Sequence, residues 1–322
     1  MTAERIHRAP SADGTEIVGR VRGRGPALVL IHGGIGDGDV AWEGLLPHLT
    51  DRFTCYLPST RGRGLSSDDP DHSPVRLEED VTAFVDSIGE PVCLVGWSGS
   101  GAWVLGAAAR DGRSQRSVAA VAAYEPGVVS VMRDEDLART VATMEQVGIA
   151  AADGRLVDAV RAFAAWICTD AEVAALEETD FYERWADCIP AMLRFVQQDA
   201  AYEGPRSTDP EVLGAVTAPV LVLRGRHTLL GTWFADAARH IAQHVSDAHV
   251  RELPGAGHFA PVLVPEPLAK ELIHFFASET CWAMCRAASA NQVPSRVCRP
   301  RRSRTGAVTV LSTSGSVDRS PA

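Results

Sequence analysis

Apolar residues fall along this chain in two alternating rhythms. Ala27-Leu28-Val29-Leu30-Ile31 is an unbroken apolar run, the pattern of a strand buried on both faces. Phe53 to Leu57, Val92 to Val95, Ser117 to Tyr124 and Pro219 to Leu223 predict further strands of this kind, and Val250 to Leu253 a shorter one. Between them the spacing turns helical. Helices are expected over Trp42–Leu49, over Glu78–Ile88 (Val81, Phe84, Val85 and Ile88 on one face), from Ala102 to Ala109, over Phe234–Val245 and from Leu268 to Ala277. Arg5 to Ala9 and Thr15 to Val21 flank Ser11-Ala12-Asp13-Gly14, and Asp-Gly between strand-like runs predicts a hairpin.

From about Val128 to Leu213 no strand pattern occurs. Leu156, Val160, Phe163, Ala164 and Ile167 share a helical face, and Pro190 is expected to kink or divide the last helix of the block. Strands alternating with helices imply an α/β fold, a mostly parallel central sheet with helices on both faces, interrupted by an all-helical insertion. The expected organisation is a core in two parts, 1–127 and 216–279, with a helical cap at 128–215. After Ser278 periodicity is lost, and the basic, Ser/Arg/Pro-rich stretch 280–322 is expected to be disordered.

Charge sharpens this division. The net charge is −10, yet residues 280–322 hold seven Arg against one Asp, leaving −16 for residues 1–279. An acidic body argues against nucleic acid as the main partner. No apolar run approaches a membrane span, and Met1 to Pro10 has no apolar core of a secretory signal. The expectation is a cytoplasmic protein acting on a small molecule, with no membrane partner. Cys55, Cys93, Cys168 and Cys188 sit in apolar or mixed contexts and read as core residues. Cys281, Cys285 and Cys298 have irregular spacing and no nearby histidine, so no metal site is expected.

The chemistry concentrates at the predicted carboxyl ends of strands, where open parallel sheets bind ligands. Val92-Cys93-Leu94-Val95-Gly96-Trp97-Ser98-Gly99-Ser100-Gly101 reads as strand, sharp turn and helix, with the Ser98 hydroxyl at the apex. Glu125, in Tyr124-Glu125-Pro126, ends the next strand, and His258 lies in Pro254-Gly255-Ala256-Gly257-His258 after the last one. A serine needs a base to become nucleophilic, and the base needs an acid to hold its tautomer; the order Ser, Glu, His meets that need on this architecture.

Three marks in order and in the right elements, His32-Gly33-Gly34, Gly96-Trp97-Ser98-Gly99-Ser100 and Gly255-Ala256-Gly257-His258-Phe259, resemble those of the α/β-hydrolase superfamily over roughly residues 5 to 278. The resemblance implies a nucleophile at Ser98, a base at His258, an oxyanion hole from the Gly34 and Gly99 amides, and no cofactor. Ser98 argues against dehalogenase and epoxide hydrolase chemistry, for which the family places an aspartate there. Two positions depart from the family. Ser100 replaces the last glycine of the turn and, being small, is expected to be tolerated there. Thr228, in Arg224-Gly225-Arg226-His227-Thr228, stands where most members carry the acid. Some members carry it after the preceding strand, which is Glu125 here, with Asp236 as an alternative.

His32 reads as a brace of its glycine loop, and Asp37 and Asp39 as loop terminators. Arg61 and Arg63 read as loop charges able to meet an anionic substrate. His227 is close in sequence to the vacated acid position, and His240, His244 and His249 read as surface residues. Of the insertion's large residues (Phe163, Trp166, Phe181, Tyr182, Trp185, Met192, Phe195), some should line an apolar pocket over Ser98 and the rest form cap core. Trp97 should pack beneath the cap or line that pocket. The expected activity is hydrolysis of small, fairly apolar esters, thioesters or lactones. Same-fold C–C bond hydrolysis, lyase or cofactor-free perhydrolase chemistry, and non-catalytic ligand binding with Thr228 as its support, are the alternatives.

Overall fold

The computed structural model describes residues 5–111 and 117–277; the 280–322 stretch with Cys281, Cys285 and Cys298 lies outside them. The chain runs β1 (Arg5–Pro10), β2 (Glu16–Gly23), β3 (Ala27–Ile31), α1 (Leu46–Leu49), β4 (Thr54–Pro58), α2 (Pro74–Ile88), β5 (Val92–Trp97), α3 (Ser100–Asp111) and β6 (Val118–Tyr124). Six helices follow without a strand: α4 (Asp134–Ala152), α5 (Leu156–Ile167), α6 (Asp170–Glu177), α7 (Phe181–Trp185), α8 (Ile189–Ala200) and α9 (Pro210–Leu213). Then come β7 (Val220–Gly225), α10 (Gly231–His244), β8 (Ala248–Leu253), α11 (Ala260–Leu263) and α12 (Pro265–Phe276).

The eight strands form one sheet in the order β1-β2-β4-β3-β5-β6-β7-β8. β1 and β2 are the antiparallel edge, and β2 meets β4 antiparallel; the pairings from β4 through β8 are parallel. Every residue of β3, β5 and β6 is buried. Side-chain alternation then sorts these strands between two apolar layers. Leu28, Leu30, Cys93, Val95, Ala120, Ala122, Leu221 and Leu223 enter one layer. Val29, Ile31, Val92, Leu94, Val121, Val220 and Val222 enter the other, with residues of α2, α3 and α10. β4 and β5 flank β3 on opposite sides, so the sheet changes winding direction there, and a crevice opens beyond the carboxyl ends of β3 and β5.

Several boundaries differ from the sequence expectation for local reasons. α2 starts at Pro74 rather than near Glu78, with proline in its first turn, where the missing N–H is no loss. The helix expected from Trp42 shrinks to Leu46–Leu49. The chain before it is spent in turns, and Gly44 lets the Pro261 and Val262 carbonyls approach closely. Pro190 does divide its helix: α7 and a 3₁₀ turn precede it, and it sits in the first turn of α8. No helix among the described residues is long and apolar enough to cross a membrane.

Candidate active site

Ser98 occupies the turn between β5 and α3 with φ 58°, and Glu125, just beyond β6, has φ 44°. They are the two non-glycine residues in the left-handed region among those described, a conformation that a fold keeps only where its surroundings enforce it. Here the two turns hold each other. The Ser98 amide donates to Tyr124 O at 2.9 Å, and Ser98 O accepts from Gly127 N at 3.0 Å and Gly101 N at 2.9 Å. Small neighbours are required. A Cβ on Gly96 would stand 2.7 Å from Ser100 O, and one on Gly101 2.6 Å from the Pro126 Cβ.

Ser100 is more than a tolerated departure. Its hydroxyl is buried, accepts from Trp97 N at 2.9 Å and donates to Ile31 O at 2.8 Å. It thereby adds a side-chain link between the ends of β3 and β5, beyond the ladder that already pairs Ile31 with Gly96.

Glu125 is fully buried, and its carboxylate is enclosed by donors. His258 Nδ1 lies 2.7 Å from Oε2, the Thr228 hydroxyl donates to Oε2 at 2.9 Å, and Gly225 N donates to Oε1 at 2.8 Å. With the carboxylate as acceptor, Nδ1 carries the proton and Nε2 keeps its lone pair. Thr228 is therefore a hydrogen-bond donor to Glu125, and its support for a non-catalytic reading falls away.

The histidine loop is fixed from several sides. Trp97 Nε1 donates to His258 O at 3.0 Å, and the Phe234 ring stacks on the imidazole at 5.1 Å. The Tyr124 hydroxyl donates to Gly257 O. The fourth brace comes from the helical insertion: Glu172, in the capping box that opens α6, accepts from Phe259 N at 3.0 Å.

The glycine loop after β3 lies against Ser98. A Cβ on Gly33 would stand 3.3 Å from Trp97 O and 3.5 Å from the Ser98 Cβ, and one on Gly99 3.8 Å from Gly34 N. Among the described residues, neither the Gly34 nor the Gly99 amide donates to a protein acceptor. His32 braces this loop as expected. Its ring is fully buried, accepts from Thr60 N at Nε2 (3.0 Å) and donates from Nδ1 to Gly33 O (2.8 Å).

Burial, reinforced by the Arg63 cation, pulls the His32 pKa from 6.5 down to about 3. The unfolded chain therefore takes up a proton below pH 6.5 that the folded chain refuses until about pH 3. This contribution to stability is intact above pH 6.5 and is lost as pH falls, by up to about 1.4 kcal/mol per pH unit. Between pH 8 and pH 5, wild type should lose about 2 kcal/mol more than His32→Gln in urea unfolding. Equal losses would remove His32 as the cause.

A cavity of about 180 Å³ opens beside Ser98, Gly34 and Gly99. Met132, Met144, Phe163, Trp166, Met192 and Phe195 of the 128–215 stretch line it together with Trp103 and Trp233 of the core, while Asp199, Arg206, Ser207 and Thr208 give it a polar side. Phe181 and Trp185 instead pack on Trp97 and Phe259, in the apolar layer. Trp103, Met132, Met144 and Trp233 carry no sequence signal of this role, because only the packing of the insertion onto the sheet brings them together.

The other singled-out residues lie elsewhere. Asp236 pairs with Arg239 and Arg133, and the carboxylate at His258 Nδ1 is that of Glu125. His227 is exposed. Asp37 caps its own loop through the Asp39 and Val40 amides. Arg61 and Arg63 are buried, against the expectation of loop charges, and Arg61 is neutralised by Asp80 and Asp13. Cys55, Cys93, Cys168 and Cys188 are buried.

The sequence model of the family described as "Alpha/beta hydrolase family" matches residues 28–271. Pimeloyl-[acyl-carrier protein] methyl ester esterase of Stenotrophomonas maltophilia is 43% identical over 89 residues, 28% of this chain and 33% of that protein. The chain thus matches about a third of the length of this curated relative. 2-(Acetamidomethylene)succinate hydrolase of Mesorhizobium japonicum is 26% identical over 80% of this chain and 90% of its own length. Among solved structures, an alpha/beta hydrolase from Sphaerobacter thermophilus aligns with TM-score 0.65 and 25% identity, covering 84% of this chain and 100% of its own.

Proposed function

Because this chain belongs to the alpha/beta hydrolase family, we propose that it is a serine hydrolase of small, fairly apolar carboxylic esters, thioesters or lactones. Ser98 attacks the carbonyl carbon while Nε2 of His258 takes its proton. Glu125 holds the Nδ1–H and balances the imidazolium that forms. The tetrahedral oxyanion is received by the Gly34 and Gly99 amides, whose N–H groups have no protein acceptor to give up among the described residues. Collapse of the intermediate releases the alcohol or thiol, which takes the proton from His258 and leaves an acyl-serine. Water, deprotonated by the same imidazole, then frees the acid.

The observation that carries this reading is the fully buried Glu125–His258 pair at 2.7 Å, standing at the same sheet edge as a serine held at φ 58°. The 128–215 stretch acts as the cap, and its apolar lining selects the acyl group. A cavity of about 180 Å³ lies below the usual range for drug-sized ligands, roughly 300 Å³ upward, so short acyl chains are favoured over long ones. The names of the relatives, an ester esterase and a hydrolase, agree with acyl transfer to water.

Wild-type protein treated with a fluorophosphonate should give one adduct, located by mass spectrometry on the peptide that carries Ser98. A short-chain p-nitrophenyl ester should compete with the label and be turned over faster than a long-chain one. Absence of any adduct on Ser98 removes the proposal.

A further inference from the structure

One buried group has no part in the chemistry above. Arg63 is 5% exposed, and no carboxylate of the described residues stands within ion-pair distance of it, in contrast to its neighbour Arg61. Its Nε is buried with no hydrogen-bond partner among the described residues. Its contacts are to backbone oxygens: Nη1 donates to Gly36 O at 3.1 Å and more weakly to Gly33 O at 3.5 Å. The Asp37 carboxylate acts on Arg63 only from beyond ion-pair distance, and a buried cation without a direct counter-ion is costly. Desolvation lowers the guanidinium to about 10, which still leaves it charged at neutral pH.

The position of this charge gives it a use. Gly33 C=O and Gly34 N–H belong to a single planar peptide unit, with the oxygen and hydrogen on opposite sides. A donor on the oxygen draws electron density toward it and leaves the hydrogen more positive, as in any chain of coupled hydrogen bonds. The Gly33 oxygen already receives the His32 Nδ1–H at 2.8 Å, and Arg63 adds a full positive charge on that side. The Gly34 amide at the other end lies beside Gly99.

We propose that Arg63 is a positioning residue of the oxyanion hole: it clamps the 33–36 loop through two carbonyls, and its charge, not ion-paired with a carboxylate among the described residues, strengthens the Gly34 N–H toward the anion formed on the substrate. This inference rests on the serine hydrolase reading. It distinguishes the two arginines of Arg61-Gly62-Arg63-Gly64, one neutralised within the core and one kept charged behind the Gly33–Gly34 peptide.

The test compares Arg63→Met, Arg63→Gln and Arg63→Lys with wild type on a short-chain ester, with rates expressed per site titrated to completion by a fluorophosphonate. Arg63→Met should lower kcat about 10- to 100-fold while KM changes less than about threefold, somewhat less than the loss of a direct oxyanion donor. Arg63→Lys should recover about tenfold of that loss, with Arg63→Gln falling below it. Affinity for a trifluoromethyl ketone, which forms an oxyanion on Ser98, should fall in step with kcat, while affinity for the product acid stays unchanged. A purely structural role would lower the titrated fraction and the melting temperature but spare kcat per site. If Arg63→Met does not fold, the order of Arg63→Lys over Arg63→Gln carries the test. Wild-type kcat per site in Arg63→Met, or equal activity of the lysine and glutamine variants, overturns this inference alone. An inactive wild type overturns it together with the reading beneath it.

Discussion

Ser98→Ala is expected to lower the turnover of a short-chain ester by about 10⁶-fold, the scale seen when the serine of a Ser-His-acid triad is removed. The loss is this large because the Ser207 and Thr208 hydroxyls that share the cavity stand on another segment, away from the strained turn that presents Ser98. Among the described residues the four cysteines are buried, and the Cys55 thiol is pushed up to about 12 by burial. Stability should barely change. The backbone bonds that hold residue 98 at φ 58° run from its amide and carbonyl to Tyr124, Gly101 and Gly127, and alanine keeps both groups. A faint activity of about 10³–10⁴ over the uncatalysed rate is expected to remain from the free Gly34 and Gly99 amides and from substrate binding. Kinetics with a p-nitrophenyl ester, alongside a thermal melt, measure both quantities. Activity within about a hundredfold of wild type in a folded variant would move the nucleophile away from Ser98.

The sheet was legible because its central strands are buried on both faces, so Ala27–Ile31 and Pro219–Leu223 read as uniform apolar runs and could be little else. The glycine-bounded turns around Ser98 and His258 were equally legible, since each needs small residues for a backbone reason. What stayed hidden depends on contacts between distant segments. Arg63 in a glycine-rich loop reads as a solvent charge until the chain folds that loop beneath Gly33 and Gly36. Glu172, an ordinary capping-box glutamate in sequence, also reaches the Phe259 amide beside His258. Ser100 was expected only to fit, yet it joins Ile31 to Trp97. Thr228 was the most misleading single residue. Read alone it marks a lost acid, and read beside Glu125 it is a donor to the carboxylate that His258 faces.

That relationship makes the second large effect a test of which carboxylate serves. Glu125→Gln should cost about 10⁴ in turnover, the size of an acid-to-amide change in a comparable triad. The amide retains the shape of the carboxylate and an acceptor for Gly225 N, now at 2.8 Å. It also brings an NH₂ group toward His258 Nδ1, which shifts the proton to Nε2 and removes the lone pair that Ser98 needs. Thr228→Asp alone should also impair the enzyme, because it places a second buried carboxylate in hydrogen-bond reach of the first, where two like charges cannot both persist and one must take a proton. The two changes should not add. Glu125→Ser combined with Thr228→Asp vacates one strand end and supplies the acid from the β7 loop, as most of the family arranges it, and should recover at least about tenfold over Glu125→Ser. Additive losses in that cycle would mean that the β7 loop cannot present an acid to His258 in this fold. Near-wild-type turnover in Glu125→Gln would mean that His258 needs no buried acid at all.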